Sequence, residues 1–300
     1  MNNSINHIKK SLEELGVVFT AGERSTQGEY SSSDVEWNYN DVPHLNEVHQ
    51  LANAVQGAIS DNYSVSIFLQ KIGPLRFPMS VFISSKSRFE NCYFTTLGPF
   101  ILLIQTKWSS VESKTLVVTR YWLGSGKMLK WTHKTLFKFI YANYENLMSG
   151  DVPMRSRRGE LRSRGYLFGG DFDGYSFSSS MKLNSRDVRV PELLERFEWR
   201  SAISEVNFGS TLIGADDNSG VRLDRHENII RVFPRICMHA GARLDFGESI
   251  GSCIKCPWHG NLIKPIFVID LNIWPETYVS NGISVEVQKL NISIAGRYEV

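Results

Sequence analysis

The sequence predicts an α+β protein in two parts: an antiparallel sheet wrapped around one long helix, then a small all-β domain. Three observations carry this expectation. Strand-like runs separated by turn formers fill residues 63–122, a mainly helical run follows from Lys127 to about Arg162, and short β-rich pieces occupy the chain beyond Phe197. The 300 residues suffice for two cores, and 42% hydrophobic with 12% aromatic residues is a globular composition.

Each element has its own local reason. Residues 5–15 repeat apolar positions at helical spacing, and Gly16 supplies a stop. The stretch from Gly22 to Asp34, rich in Ser, Gly and Glu, reads as a loop. Pro43 to Ile59 reads as a helix with Leu45, Val48, Leu51, Ala52 and Val55 on one side, capped by Asn40 or Asp41 and tolerating Pro43 in its first turn. Strands are expected at Val65–Leu69, Met79–Ile83, Cys92–Thr96, Ile101–Ile104 and Thr115–Thr119. The long helix after Gly126 should break or bend near Gly150 to Pro153. Residues 165–195 have a linker's composition, and Ser210–Ile213, Ile229–Phe233, Ile266–Ile269, Ile283–Val287 and Ile292–Ile294 fit strands of the β domain. The expected division is therefore a helix and loop over 1–35, the sheet-and-helix domain over 36–170, a linker over 171–196 and the β domain over 197–300.

Charge and termini narrow the setting. Thirty-three basic against thirty-one acidic residues leave a net charge of +2, so no global field recruits nucleic acid or an anionic membrane. The cluster Arg155, Arg157, Arg158, Arg162 and Arg164 is the local exception and reads as a solvated helix face. No run approaches about eighteen apolar residues and the first residues lack a signal peptide's pattern, so a cytoplasmic protein without integral membrane association is expected. Four cysteines fit a reducing compartment.

The chemistry concentrates in two places. Cys237-Met-His239 and, after a gap of sixteen residues, Cys256-Pro-Trp-His259 form a C-x-H…C-x-x-H frame. Such a frame can hold a [2Fe-2S] cluster with two thiolates on one iron and two imidazoles on the other, as in Rieske centres. Tetrahedral zinc is the alternative, but zinc frames normally pair Cys with Cys and His with His, whereas each loop here contributes one of each. The sequences Cys237-Met-His-Ala-Gly-Ala-Arg-Leu and Cys256-Pro-Trp-His-Gly resemble the two cluster loops of Rieske proteins. By that resemblance Ala242 and Trp258 replace the disulfide cysteines of the respiratory type, and Asn261 replaces a Ser that hydrogen-bonds the cluster, which implies a low, oxygenase-like potential. Cys253 reads as a small buried residue.

The second place is Asp41-Val-Pro-His44-Leu-Asn-Glu-Val-His49, a D-x-x-H-x4-H pattern. Two imidazoles and a carboxylate with open positions form the facial triad of non-haem Fe(II) sites. A five-residue separation puts the two His about 140° apart on an ideal helix, so both reach one metal only if the turn between them is distorted. Alone, the pair also suits ordinary surface or core histidines. Together with the cluster frame it resembles the large subunit of Rieske non-haem iron oxygenases.

That resemblance implies a helix-grip catalytic domain enclosing an apolar cavity, with His44 and His49 as Fe(II) ligands and the third ligand on the long helix. Asp151 matches it, with Glu145 and Glu160 as weaker candidates and a helix-capping carboxylate as the competing reading of Asp151. It also implies that Asp41 bonds His44 and links it to His259 of a neighbouring subunit in a homotrimer, the competing role for Asp41 being a helix N-cap. Second-shell carboxylates on metal-bound His are physically expected in any case. Two departures stand out: the iron motif precedes the cluster motif, a permuted order, and Trp37 stands where some members have Asn near the iron. The aromatic residues Phe82, Phe89, Tyr93, Phe94, Phe100, Trp108 and Tyr121 suit a roomy apolar pocket, and core packing explains them equally well.

The implied activity is a mono- or dioxygenase that uses O2 and external electrons to hydroxylate or demethylate a small apolar organic substrate. Its cofactors would be a Rieske [2Fe-2S] cluster and a mononuclear Fe(II). No flavin or nicotinamide signature appears, so a separate NAD(P)H-dependent reductase, acting directly or through a ferredoxin, is implied as partner. The alternative is a Rieske electron carrier fused to a helix-grip domain that binds an apolar ligand without reacting with it.

Overall fold

The computed structural model describes residues 4–49, 52–72, 75–180, 188–189, 197–207, 209–214, 219–273, 276–288 and 291–296. By packing they divide into two units, residues 4–160 with 170–180 and residues 161–169 with 188–296. Among the described residues no helix is long and apolar enough to cross a membrane.

The first unit opens with helix α1 (Ser4–Glu14), ended by Gly16 at φ 88°, and strand β1 (Val17–Gly28). Helices α2 (Ser32–Asn40) and α3 (His44–Glu47) follow. Then come β2 (Ala52–Ile59), β3 (Tyr63–Ile72), β4 (Leu75–Ser87), β5 (Glu90–Leu97), β6 (Phe100–Val111) and β7 (Lys114–Gly126). A 3₁₀ turn over Lys127–Thr132 leads into the 31-residue helix α4 (His133–Ser163). The strands form one antiparallel sheet of order β1-β7-β6-β5-β4-β3-β2.

Alternation along the strands decides which helix covers which face. Tyr121 and Leu123 of β7 pack with Phe137, Tyr144 and Met148 of α4, whereas Cys92, Leu103 and Trp122 pack with Ile5 of α1. The central strand β6 is therefore apolar on both faces, which explains the unbroken run Ile101 to Ile104. A sheet curled around α4 is the helix-grip arrangement, as expected.

Three local expectations are overturned. Most of the stretch expected as a loop is β1, paired with β7 from Val17↔Gly126 to Gly28↔Thr115. An edge strand needs few apolar residues, and Gly22 is required there because a Cβ would lie 2.2 Å from the Tyr141 hydroxyl of α4. Pro43 to Ile59 is not one helix: only His44–Glu47 is helical, and Ala52–Ile59 is strand β2, its pairing with β3 overriding helical spacing. Leu51, expected on that helix, lies outside the described residues. Helix α4 continues past Gly150 and Pro153 to Ser163, so of the expected break or bend the break does not occur. The proline removes one backbone hydrogen bond, and burial of Met148 and Met154 on either side keeps the helix in the core.

The second unit is all-β apart from short helical turns. Strands β8 (Leu167–Phe168) and β9 (Val188–Arg189) pair with each other, within the stretch whose composition suggests a linker. One sheet joins β10 (Phe197–Ala202), β20 (Asn291–Gly296), β19 (Ile283–Val287) and β18 (Glu276–Ser280), and another joins β11 (Gly209–Ile213), β12 (Val221–His226), β13 (Ile229–Pro234) and β17 (Phe267–Asp270). Their inner faces share one core, with Leu223, Val232, Val285 and Ile294 fully buried. A third sheet, β14 (Glu248–Ile250), β15 (Cys253–Lys255) and β16 (Leu262–Ile263), carries the C-terminal motif.

Candidate metal centres

The two cysteine–histidine motifs fold into a matched pair of loops. In the first, the Cys237 N–H donates to the Ala242 carbonyl at 2.8 Å and the Gly241 N–H to the Cys237 carbonyl at 2.9 Å. In the second, the Cys256 N–H donates to the Asn261 carbonyl at 2.8 Å and the Gly260 N–H to the Cys256 carbonyl at 2.9 Å. Each loop turns on a glycine with positive φ, 94° at Gly241 and 70° at Gly260. Gly241 is doubly constrained, for a Cβ there would lie 2.8 Å from Leu161 Cδ1.

The loop bases are rigid. Arg235 grips Asp245 through two bonds of 2.8 and 2.7 Å, and Arg243 adds a third at 3.1 Å. Burial alone would raise the Asp245 carboxyl, but these bonds and charges hold it below its usual range. The second loop is held by the β15–β16 pairing.

Held this way, the four side chains converge. The Nδ1 atoms of His239 and His259 lie 3.2 Å apart, and Cys237 and Cys256 are buried and hydrogen-bonded to each other. The bond from Cys256 lowers the Cys237 thiol, while Cys256 is itself pushed up by that bond and by burial. Two thiols with two Nδ1 donors on matched loops fit an asymmetric [2Fe-2S] group. All four cysteines are free; Cys253, expected to be buried, is half-buried on β15.

In the first unit, His44, His49 and Asp151 offer ligand atoms that all lie within 4.8 Å of one another. His44 begins α3 and His49 follows its end, so the separation set by an ideal helix does not apply. Nδ1 of His44 donates to the Asp41 carbonyl in a short hydrogen bond, with Asp41 Oδ2 at 3.6 Å. That bond turns His44 Nε2 inward, where it is buried 3.2 Å from Asp151 Oδ1. His49 Nε2 lies 2.8 Å from the same oxygen. Two inward nitrogens and one carboxylate oxygen fit a divalent metal.

Burial would lower His44, but hydrogen bonds to Asp151 and Asp41 raise it to about 10. Burial would raise Asp151, but His44, His49 and Arg155 hold it well below the usual carboxylate range. Glu145 is exposed and Glu160 pairs with Arg157 at 2.9 Å, so neither joins the cluster. Asp41 is the C-cap of α2, its N–H bonded to the Trp37 carbonyl at 2.9 Å, and not an N-cap.

The sequence reading does not foresee the support around this cluster. Of the arginines expected on a solvated face, Arg155 and Arg158 are both 0% exposed and Arg157 is buried, whereas Arg162 is half-buried and Arg164 exposed. Arg158 Nε donates to Asp34 at 3.1 Å, while Arg155 donates to Asn38 Oδ1 at 2.8 Å from Nε and to Asp151 Oδ2 at 3.4 Å. Their planes lie over aromatic rings, Arg155 4.6 Å from Tyr39 and Arg158 4.2 Å from Trp37. Asp34–Arg158, Asn38–Arg155 and His44–Asp151 are thus successive rungs between antiparallel segments. Asn38, not the residue at 37, approaches the Asp151 carboxylate, at 3.4 Å. The signal in the sequence is the matched spacing, Asp34 to Asn38 against Arg155 to Arg158.

A cavity of about 200 Å³ adjoins the cluster and is lined by His44, Asp41 and Asp151 together with residues of the sheet and α4. Of the aromatic residues expected there, Tyr93 and Tyr121 line it, whereas Phe82 and Phe89 are exposed and Phe94 packs on the α1 face. Trp108 packs instead with Tyr30 and Val35, and Phe100 against the α4 cluster.

Residues 206–264 match the family described as the Rieske [2Fe-2S] domain. No curated protein matches the sequence. Among solved structures, the di-domain aromatase/cyclase StfQ of the steffimycin biosynthetic pathway is 9% identical with a TM-score of 0.44, over 52% of this chain and 57% of that one. The Zhui aromatase/cyclase from Streptomyces sp. R1128 is 10% identical with a TM-score of 0.43, over 49% and 99%. A protein from Thermus thermophilus is 14% identical with a TM-score of 0.38, over 44% and 94%. The fold and the cluster loops define an iron–sulfur protein with a helix-grip domain. More particularly, its C-terminal part is a Rieske domain.

Proposed function

We propose that this protein is a Rieske-type oxygenase whose second metal, a mononuclear Fe(II), is held by His44, His49 and Asp151. The observation that carries the reading is that these three side chains converge beside a largely apolar cavity in a chain that also has a Rieske domain. When bound, the cluster supplies electrons singly and the iron supplies oxygen activation.

The protein's own part is positioning. Cys237, Cys256, His239 and His259 hold the cluster, and the half-buried His239 gives an edge through which a separate reductase or ferredoxin can deliver electrons. Asp41 fixes the tautomer of His44, and Arg155 and Asn38 steady the Asp151 carboxylate. The cavity excludes bulk water and holds an organic substrate beside the open metal positions. In this reading Asp41 also carries electrons from His259 of a neighbouring subunit in a trimer.

Iron analysis tests it. Anaerobically reconstituted protein should hold about three irons per chain, from the stoichiometries of the cluster and the triad. Asp151→Ala should hold about two, with an unchanged cluster spectrum. Two irons in the parent protein would favour an electron carrier fused to a non-catalytic binding domain.

A further inference from the structure

The cavity beside His44 and Asp151 carries a chemical signature of its own. Among the described residues its charged lining consists of Asp41 and Asp151, with His44, all on the metal side, and no Lys or Arg lines it. Most of the wall is apolar, including Val42, Leu45, Phe68 and Ile104.

Several hydroxyl groups line that wall, and on the sheet those of Ser66 and Tyr93 stand out, Tyr39 and Tyr144 lying on the helices. Ser66 is 1% exposed, and its Oγ is buried without a hydrogen-bond partner. The Tyr93 hydroxyl is buried too and lacks a well-formed hydrogen bond, Asn91 being the side chain that reaches towards it. Both residues line the cavity. The strand register puts them on the same face: Ser66 pairs with Val81, and Tyr93 with Ile83 two positions further along β4. A buried hydroxyl left unsatisfied is costly, so these groups are arranged for something that enters the cavity.

We infer that the cavity selects an uncharged organic molecule of one or two rings that bears a hydroxyl or carbonyl group, bonded by Ser66 and Tyr93. The size follows from the volume of about 200 Å³, against about 150 Å³ for a cavity that takes up benzene. In the metal-free protein an anionic ligand is disfavoured, because Asp41 and Asp151 outnumber His44 in the charged lining and no Lys or Arg joins it. The inference rests on the oxygenase reading only in calling the ligand a substrate.

The test compares three probes of one skeleton, 2-naphthol, naphthalene and 2-naphthoate, by calorimetric titration of the full cluster-containing chain, as purified and again after chelation of loosely held metal. The expected order is 2-naphthol about three- to tenfold tighter than naphthalene, from one added hydrogen bond, and 2-naphthoate at least about tenfold weaker than 2-naphthol. In a Ser66→Ala, Tyr93→Phe variant the advantage of 2-naphthol should vanish while naphthalene binds as before, which also reports that the cavity is intact. Equal or tighter binding of 2-naphthoate overturns the inference. So does an absence of binding, or parent protein that does not separate 2-naphthol from naphthalene. If the selectivity holds in protein that never retains a third iron, the oxygenase reading fails and the ligand assignment stands.

Discussion

The Nδ1 atoms of His239 and His259 lie 3.2 Å apart although twenty positions separate the residues. That is hydrogen-bonding distance between the two rings, and the matched loops aim both nitrogens at one point. Replacing either His by Ala should abolish the Rieske visible and paramagnetic spectra. His259→Cys should, where a cluster assembles, give a reduction potential lower by more than about 100 mV, because a thiolate adds negative charge. Electrochemistry on that variant checks the direction.

Metal uptake at the other centre should depend on pH. Without metal, His44 keeps its proton up to about 10, so an incoming ion must displace it while Asp151 stays ionised. Apparent Co(II) affinity should rise about tenfold per pH unit between about 6.5 and 8.5, the slope for release of one proton. The metal-free fold shows the opposite trend. A His whose folded value lies above its unfolded one stabilises fully below about 6.5 and loses that contribution as pH climbs towards 10. Co(II) titrations and urea unfolding across this range measure the two effects.

Gly150 offers a sharper probe of geometry. A Cβ there would lie 2.7 Å from Val48 Cγ1 and 2.8 Å from His49 Cε1. Helix propensity alone would make Gly150→Ala stabilising by about 1 kcal/mol. The expected result is instead a loss of metal affinity of about tenfold or more, since Val48 and His49 must both give way. A variant that binds Co(II) like the parent would remove His49 from the centre.

Arg155 is fully buried between Asn38, Asp151 and the Tyr39 ring. Arg155→Ala leaves the Asp151 charge partly uncompensated and should cost about 3–5 kcal/mol in the metal-free protein, the range for breaking a buried pair. Added Co(II) should restore part of that stability by compensating the same carboxylate. Unfolding curves with and without Co(II) read both effects.

Legibility in the sequence follows the range of the interactions. The cluster loops can be read because each packs its ligands and its turn into a few consecutive residues, Cys237 to Ala242 and Cys256 to Asn261. The His44–His49 pair is local too, but Asp151 stands 102 residues from His49 and is reached only through a family resemblance. Strand β1 escapes a sequence reading because a polar edge strand bears no apolar alternation. The buried arginines look solvated in sequence because their counter-charges lie far off, Asp34 being 124 residues from Arg158.

The rungs Asp34–Arg158, Asn38–Arg155 and His44–Asp151 have a further consequence for assembly. Sliding one segment by a helical turn would set Asn38 opposite Arg158, Asp34 opposite Arg162 and His44 opposite Val152, so the misaligned chain could not gather His44 and Asp151. An ion that binds only the aligned form withdraws that form from the equilibrium. With the proposed metal at His44, His49 and Asp151, the centre would thereby favour the correct helix register over a slipped one.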